Sequence, residues 1–208
     1  MTSYRVYFQG MPKPIKLGFI RTSDIELREL LKAWLAISVA FAIVMAGFHF
    51  NRIFLAVMVL SAFTVGVGFL LHELAHKIVA QAYGAWAEFR AFNQMLVLAI
   101  LMSFFGFVFA APGAVFIHGH LTTRKNGIIS AAGPWTNLVL GLLFYIGNMF
   151  FNFWGVFFEY GFFINAWLAL FNMIPLWNFD GKKIWMWSKT AYIVTLILSA
   201  ALMFSWYV

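Results

Sequence analysis

Cysteine is absent from these 208 residues, which excludes disulfides, thiolate metal sites and cysteine nucleophiles together. Any metal must then be held by His, Asp or Glu. Charge is scarce as well. Asp, Glu, Lys and Arg make up 10% of the chain, against about 25% in a soluble domain. With 63% hydrophobic residues, 20% aromatic residues and a mean hydropathy of +0.87, the composition implies an integral membrane protein. The formal charge of +7 is not gathered into one basic patch, which argues against a nucleic-acid partner. No cleavable secretory signal is expected, because the first apolar stretch comes late and is long enough to span. Repeats and low-complexity tracts are missing too.

What the chain has instead is apolar runs. Five of them reach the roughly 20 residues that a helix needs to cross a hydrocarbon core: Leu31–Phe50, Ile53–Gly84, Ile128–Phe150, Gly161–Trp177 and Ile184–Val208. A sixth, Met95–Ile117, is broken by Gly106, Pro112 and Gly113. The expected fold is an all-α polytopic membrane protein of five to six transmembrane helices. Residues 1–30 would be a cytoplasmic arm, with an interfacial helix over Ser23–Leu31 capped by Ser23. Residues 31–208 would form one membrane domain.

The basic residues orient it. Apart from Arg52, every Lys and Arg falls in the arm or near Lys77–Arg90, Arg124–Lys125 and Lys182–Lys189. Excess Lys and Arg mark the cytoplasmic side, so an even number of crossings should separate Lys77 from Lys182. The spans 128–150 and 161–177 supply two. Met95–Ile117 is therefore expected to be re-entrant: a helix over Met95–Ala110, then an extended segment over Ala111–Ile117. Non-helical backbone at that depth must be buried in protein or line a watery cavity.

Within the second run lies His72-Glu73-Leu74-Ala75-His76. HExxH alone is a short pattern, but ionisable groups at membrane depth are costly and usually functional. Positions i and i+4 share a helix face, so His72 and His76 can present two imidazoles to one ion. Glu73 can then serve as base without being a ligand. Catalytic zinc takes three protein ligands and keeps one position open. His49 and Glu159 fall on the far side, and His118 and His120 read as solvated loop residues. Asp180 follows the span 161–177 on the same side as His76, which selects it as the third ligand. The alternative is that it caps the next helix. Gly66, Gly68, Gly133 and Pro134 read as sites of close helix packing. Asn137 needs a hydrogen-bond partner in a bilayer and either bridges helices or touches substrate.

Taken together, His72-Glu73-x-x-His76, Gly133-Pro134-x-x-Asn137 and Asn172-x-x-Pro175-x-x-x-x-Asp180-Gly181 resemble, in their order, the motifs of the site-2 protease family of intramembrane zinc metalloproteases. The resemblance covers about Phe69–Gly181. It implies one zinc ion per chain held by His72, His76 and Asp180. It also implies Glu73 as catalytic acid and base, Asn172 near the scissile carbonyl, and regulated intramembrane proteolysis as the activity. The partners expected are a transmembrane protein substrate and the lipid bilayer. The compact form without appended domains points to a prokaryotic cell membrane, and the distribution of Lys and Arg puts the site towards the cytoplasm. Three departures stand out. Asn178 occupies a position where the family often has proline, the re-entrant helix is longer, and no room is left for a PDZ domain.

Hydrolysis would proceed by Glu73-assisted attack of a zinc-activated water. A helical substrate must first unwind, and the extended segment, through Gly113, Ala114, Val115 and Phe116, offers a strand edge for its freed backbone. Two other readings fit less well. A peptidase of prenylated C-termini would want a glutamate ligand on a later helix, and Glu159 lies at the outer end. The other is a metal-binding membrane protein without catalysis. A transporter would string polar groups across the bilayer, whereas here they cluster at one end. An inactive relative would commonly have lost the glutamate, whereas Glu73 is present.

Overall fold

The computed structural model describes residues 14–108, 112–176 and 178–205, with the side chain of residue 152 left aside. A short hairpin comes first, β1 (Ile15–Leu17) against β2 (Ile20–Thr22). Helix α1 (Asp24–Ala46) starts at Ser23, whose side chain accepts the Glu26 amide. It ends at Gly47, where φ is 67°. The expected break between an interfacial helix and a first span does not occur. Glu26 to Leu31 are good helix formers, with acidic residues near the helix's positive end, so the backbone has no reason to stop before the apolar run.

The second apolar run is one 31-residue helical stretch, Arg52–Ala82, in three parts. Helix α2 (Arg52–Ser61) is capped by Asn51, a π turn follows at Ala62–Gly66, and α3 (Val67–Ala82) carries the HExxH pattern. Gly66 meets the Trp34 indole of α1, and Gly68 meets the Asn165 amide, where added Cβ atoms would clash. Both glycines therefore permit close packing, as expected.

Strand β3 (Trp86–Ala91) follows, then helix α4 (Asn93–Ser103) and strand β4 (Gly113–His118). The strands pair antiparallel, from Trp86 opposite His118 to Ala91 opposite Gly113. The helix expected to run to Ala110 ends at Ser103, because a turn over Phe104–Gly106 closes it and Gly106 adopts φ 87°. The expected extended segment is a strand from Gly113 onward, with Ala111 outside the described residues. Its partner β3 was not foreseen.

Helix α5 (Thr123–Phe150) runs through the centre, packed against α3, α6, α7 and α8. Helix α6 (Gly155–Phe171) returns alongside it, and Gly147 and Gly161 take the rings of Phe158 and Phe144. The last apolar run is divided at Ser188 into α7 (Asp180–Trp187) and α8 (Lys189–Phe204). Among the described residues, three helices are long and apolar enough to cross a membrane: Asp24–Ala46, Arg52–Ala82 and Thr123–Phe150. Overlapping the runs expected as fourth and fifth spans are shorter apolar helices, Gly155–Phe171 and Lys189–Phe204.

The end of α3 is fixed by charge. Lys77, 3% exposed, pairs with Glu26, 1% exposed, on α1. Glu26 also accepts the Thr22 hydroxyl at 2.7 Å and the Phe89 amide at 3.0 Å. One carboxylate thus ties α1, α3 and β3 together. Beside it, Ser23 donates to Glu88, which also holds Arg90 at 2.9 Å.

Candidate metal centre

Helical spacing places His72 and His76 on one face of α3, turned towards α5 and α7. Their Nε2 atoms are 3.0 Å apart. Asp180 Oδ2 lies 3.3 Å from the His72 Nε2 and 3.1 Å from that of His76. One ligand atom from each of the three residues lies within 4.8 Å of the others, and all three residues are buried.

Neighbouring bonds aim these atoms. His76 Nδ1 is 2.7 Å from the Ile129 carbonyl oxygen, to which it donates. His72 Nδ1 is 2.5 Å from Asn137 Oδ1. Each imidazole therefore has its rear nitrogen engaged and its Nε2 directed at the same point as the Asp180 carboxylate. Two imidazoles and a carboxylate form a donor set that zinc accepts, and second contacts of this kind orient metal-binding histidines. Space is kept for an ion as well. A Cβ built at Gly133 would stand 2.5 Å from both Nε2 atoms. The residues fit a metal.

Asp180 is delivered by the turn before α7. The Gly181 amide donates to the Asn172 carbonyl at 2.8 Å. A Cβ at Gly181 would run into the Met173 backbone, so only glycine lets the two chain segments approach this closely. The alternative of a capping role is not what the side chain does. Asp180 is the first residue of α7, and Phe179 holds the cap position without a side-chain bond.

Glu73 lies one residue along α3 from His72, and its Oε2 is buried with no hydrogen-bond partner among the described residues. An unpaired buried carboxylate oxygen is costly, which marks it as a group awaiting a proton or a ligand. It borders a cavity of about 300 Å³ that also reaches His72, His76 and Asp180. Asn172, on the cavity wall, donates one amide hydrogen to its own helix at the Leu168 carbonyl, 2.9 Å away. The other hydrogen remains.

The remaining candidates divide. Gly113, Ala114 and Val115 of β4 line the same cavity. Phe116 does not; its ring packs edge-on against Phe92, and the residue is 46% exposed. Asn137 is fully buried and bonded to His72, to Asn165 and to the Gly68 carbonyl, so it bridges helices instead of facing the cavity. His118 ends β4, away from the centre. Gly113 is pressed against the Phe89 ring and the Arg90 carbonyl, which makes it part of the β3–β4 pairing. Sequence reasoning missed Asn165, which sits in an apolar helix without a motif. A lone buried amide in such a helix was the available signal.

A protein of Methanocaldococcus jannaschii that carries the provisional name zinc metalloprotease is 38% identical over 186 residues, covering 86% of this chain and 92% of the relative. No family model matches the chain, and no solved structure matches it.

Proposed function

Since the chain belongs to the family of that Methanocaldococcus zinc metalloprotease, we propose that it is an intramembrane zinc endopeptidase of the site-2 protease type. It hydrolyses peptide bonds within or near transmembrane segments of membrane proteins. The observation that carries this reading is the unpartnered Glu73 oxygen beside the convergent His72, His76 and Asp180, in a cavity walled by a strand.

His72, His76 and Asp180 would hold the zinc. When bound, zinc supplies Lewis-acid chemistry, lowering the pKa of water and polarising a carbonyl. The protein's own residues do the rest. Glu73 accepts the proton of the attacking water and delivers it to the leaving amine nitrogen. Its Oε2, without a hydrogen-bond partner among the described residues, is available for both transfers. Asn172 has one amide hydrogen left to donate to the developing oxyanion, a contribution of a few kcal/mol in comparable sites. The cavity wall of Phe69, Phe92 and Phe171 excludes bulk water and accepts an apolar segment.

Substrate selection falls to β4. A transmembrane helix hides its carbonyls in its own hydrogen bonds, so it must unwind before hydrolysis. With β3 on one edge and the cavity beside Ala114 and Val115, β4 offers its second edge to that unwound backbone. The apolar outer surface of α1, α5 and α8, with Leu31, Leu142, Leu143 and Ile197 exposed, supports a bilayer setting. In it, α6 and α8 complete five crossings and α4–β4 enters and leaves on one side. The Lys and Arg residues near Lys77, Arg124 and Lys182 orient the site towards the cytoplasm.

The test pairs zinc content with cleavage of a model transmembrane peptide in detergent, for wild type and Glu73→Gln. Stoichiometric zinc in both proteins with cleavage by the wild type alone is the expected result. Zinc in both with cleavage in neither would point to a metal-binding protein without catalysis.

A further inference from the structure

Asn165 lies in the middle of α6, fully buried, and touches neither the cavity nor the three converging residues. Its hydrogen bonds nonetheless lead to one of them. The side-chain atom beside the Gly161 carbonyl, 2.8 Å away, must be the nitrogen, because a carbonyl oxygen only accepts. That fixes the other end of the amide, Oδ1, towards Asn137. Since Oδ1 accepts and cannot donate, the Asn137 atom 2.9 Å from it must be Nδ2. The Gly68 carbonyl, 3.3 Å from the same nitrogen, demands the same orientation. Asn137 is thereby left with Oδ1 facing His72 Nδ1. An acceptor there requires the proton on Nδ1, and the lone pair then lies on Nε2, the atom aimed at the metal position.

We infer that Asn165 is a positioning residue that sets the tautomer of His72 through Asn137. His76 needs no such relay, because its Nδ1 donates straight to the Ile129 carbonyl. The two imidazoles thus reach the same tautomer by different routes, and each route ends on a main-chain carbonyl. With Asn165 removed, the Asn137 amide keeps only the longer bond to Gly68 and can turn over. Its Nδ2 would then face Nδ1, and the proton would move to Nε2, where it blocks the metal. Gly68 belongs to the same device: a Cβ there would stand 2.7 Å from Asn165 Oδ1, so glycine makes room for the relay.

This inference rests on the metal reading of the centre, and two readouts separate their failures. The first is the zinc dissociation constant of the full-length protein in detergent, by chelator competition, for wild type, Asn165→Leu, Asn137→Leu and the double variant. The second is the nitrogen spectrum of ¹⁵N-histidine-labelled, metal-free protein, with His72→Gln identifying the His72 signals. Asn165→Leu should weaken zinc by about tenfold, the lower end of what outer contacts to metal-binding histidines contribute. The double variant should bind no more weakly than Asn137→Leu alone. The His72 spectrum should change from one tautomer, protonated at Nδ1, to a mixture. Asn165→Thr guards against misfolding. Its hydroxyl can still bond the Gly161 carbonyl but cannot reach Asn137, and it should behave as Asn165→Leu does. Additive losses in the double variant, or an unchanged His72 tautomer in both residue-165 variants, would overturn the inference. A wild type that binds no zinc would remove the metal reading, and the histidine spectrum would still decide the relay.

Discussion

Gly133 faces His76 across the interface of α5 and α3 with nothing between them: a Cβ on residue 133 would stand 2.5 Å from the His76 Nε2, and as close to that of His72. The vacancy at residue 133 is therefore part of the centre. Gly133→Ala should weaken zinc binding by about tenfold or more, as strong disturbance of metal-binding histidines does. The same change favours the α5 helix itself by about 1 kcal/mol. Chelator competition alongside circular dichroism checks both, and undiminished zinc affinity would show that the centre lies elsewhere.

Glu73→Gln keeps the shape of the side chain and removes its basicity. Zinc content should stay stoichiometric, while turnover of a model transmembrane peptide should fall by about 10²–10⁴-fold, the usual contribution of a positioned acid–base group. Retained turnover would remove Glu73 from the chemistry.

Zinc should also stabilise the fold, because its three ligands come from two elements far apart in sequence, α3 and the start of α7. At a free concentration of about 100 times its dissociation constant, the linkage amounts to about 2.7 kcal/mol. Thermal unfolding with and without a chelator measures it. The difference should disappear in Asp180→Asn if that carboxylate is a ligand.

The pair of Lys77 and Glu26 should matter more to stability than to chemistry. Removing one partner of a buried ion pair costs about 3–5 kcal/mol, because the other is left charged and alone. Lys77→Met should therefore lower the unfolding midpoint of the metal-free protein sharply, and Lys77→Met with Glu26→Gln should recover part of the loss. A midpoint within error of wild type would mean that water reaches this pair.

The two histidines of the centre were legible in the sequence because their spacing is local, and Asp180 because the expected topology puts it on their side of the membrane. Asp180 follows the span 161–177 on the side where His76 lies, and His72 and His76 share a face through helical spacing alone. Ser23 was legible as a cap for the same reason, with Glu26 three residues on. What escaped notice depends on partners distant in the chain. Strand β3 exists because β4 pairs with it across more than twenty residues of intervening chain, and nothing within Trp86–Ala91 shows that pairing. Glu26 reads as a helix-starting acid until the fold brings Lys77, 51 residues away, against it. The apolar run predicts a longer α4 than the fold contains, because hydrophobicity continues past Ser103 while the helical backbone does not. Asn165 carried no pattern at all, and its meaning depends on which end of an amide faces which neighbour.

The π turn at Ala62–Gly66 bears on how such a helix can be built at all. A wide turn of this kind amounts to one extra residue inserted in a helix, and each residue advances a helix face by about 100°. The half of the stretch before residue 62 and the half after residue 66 are therefore out of phase. α2 can turn Phe54 towards Ile43 of α1 while α3 turns its histidines towards α5, although both belong to one continuous rod. An uninterrupted α-helix would force a choice between anchoring one half and aiming the other. The single added residue works as a clutch: it lets the two ends of one shaft take independent angular settings, and the angle at which the histidines meet Asp180 is one of them.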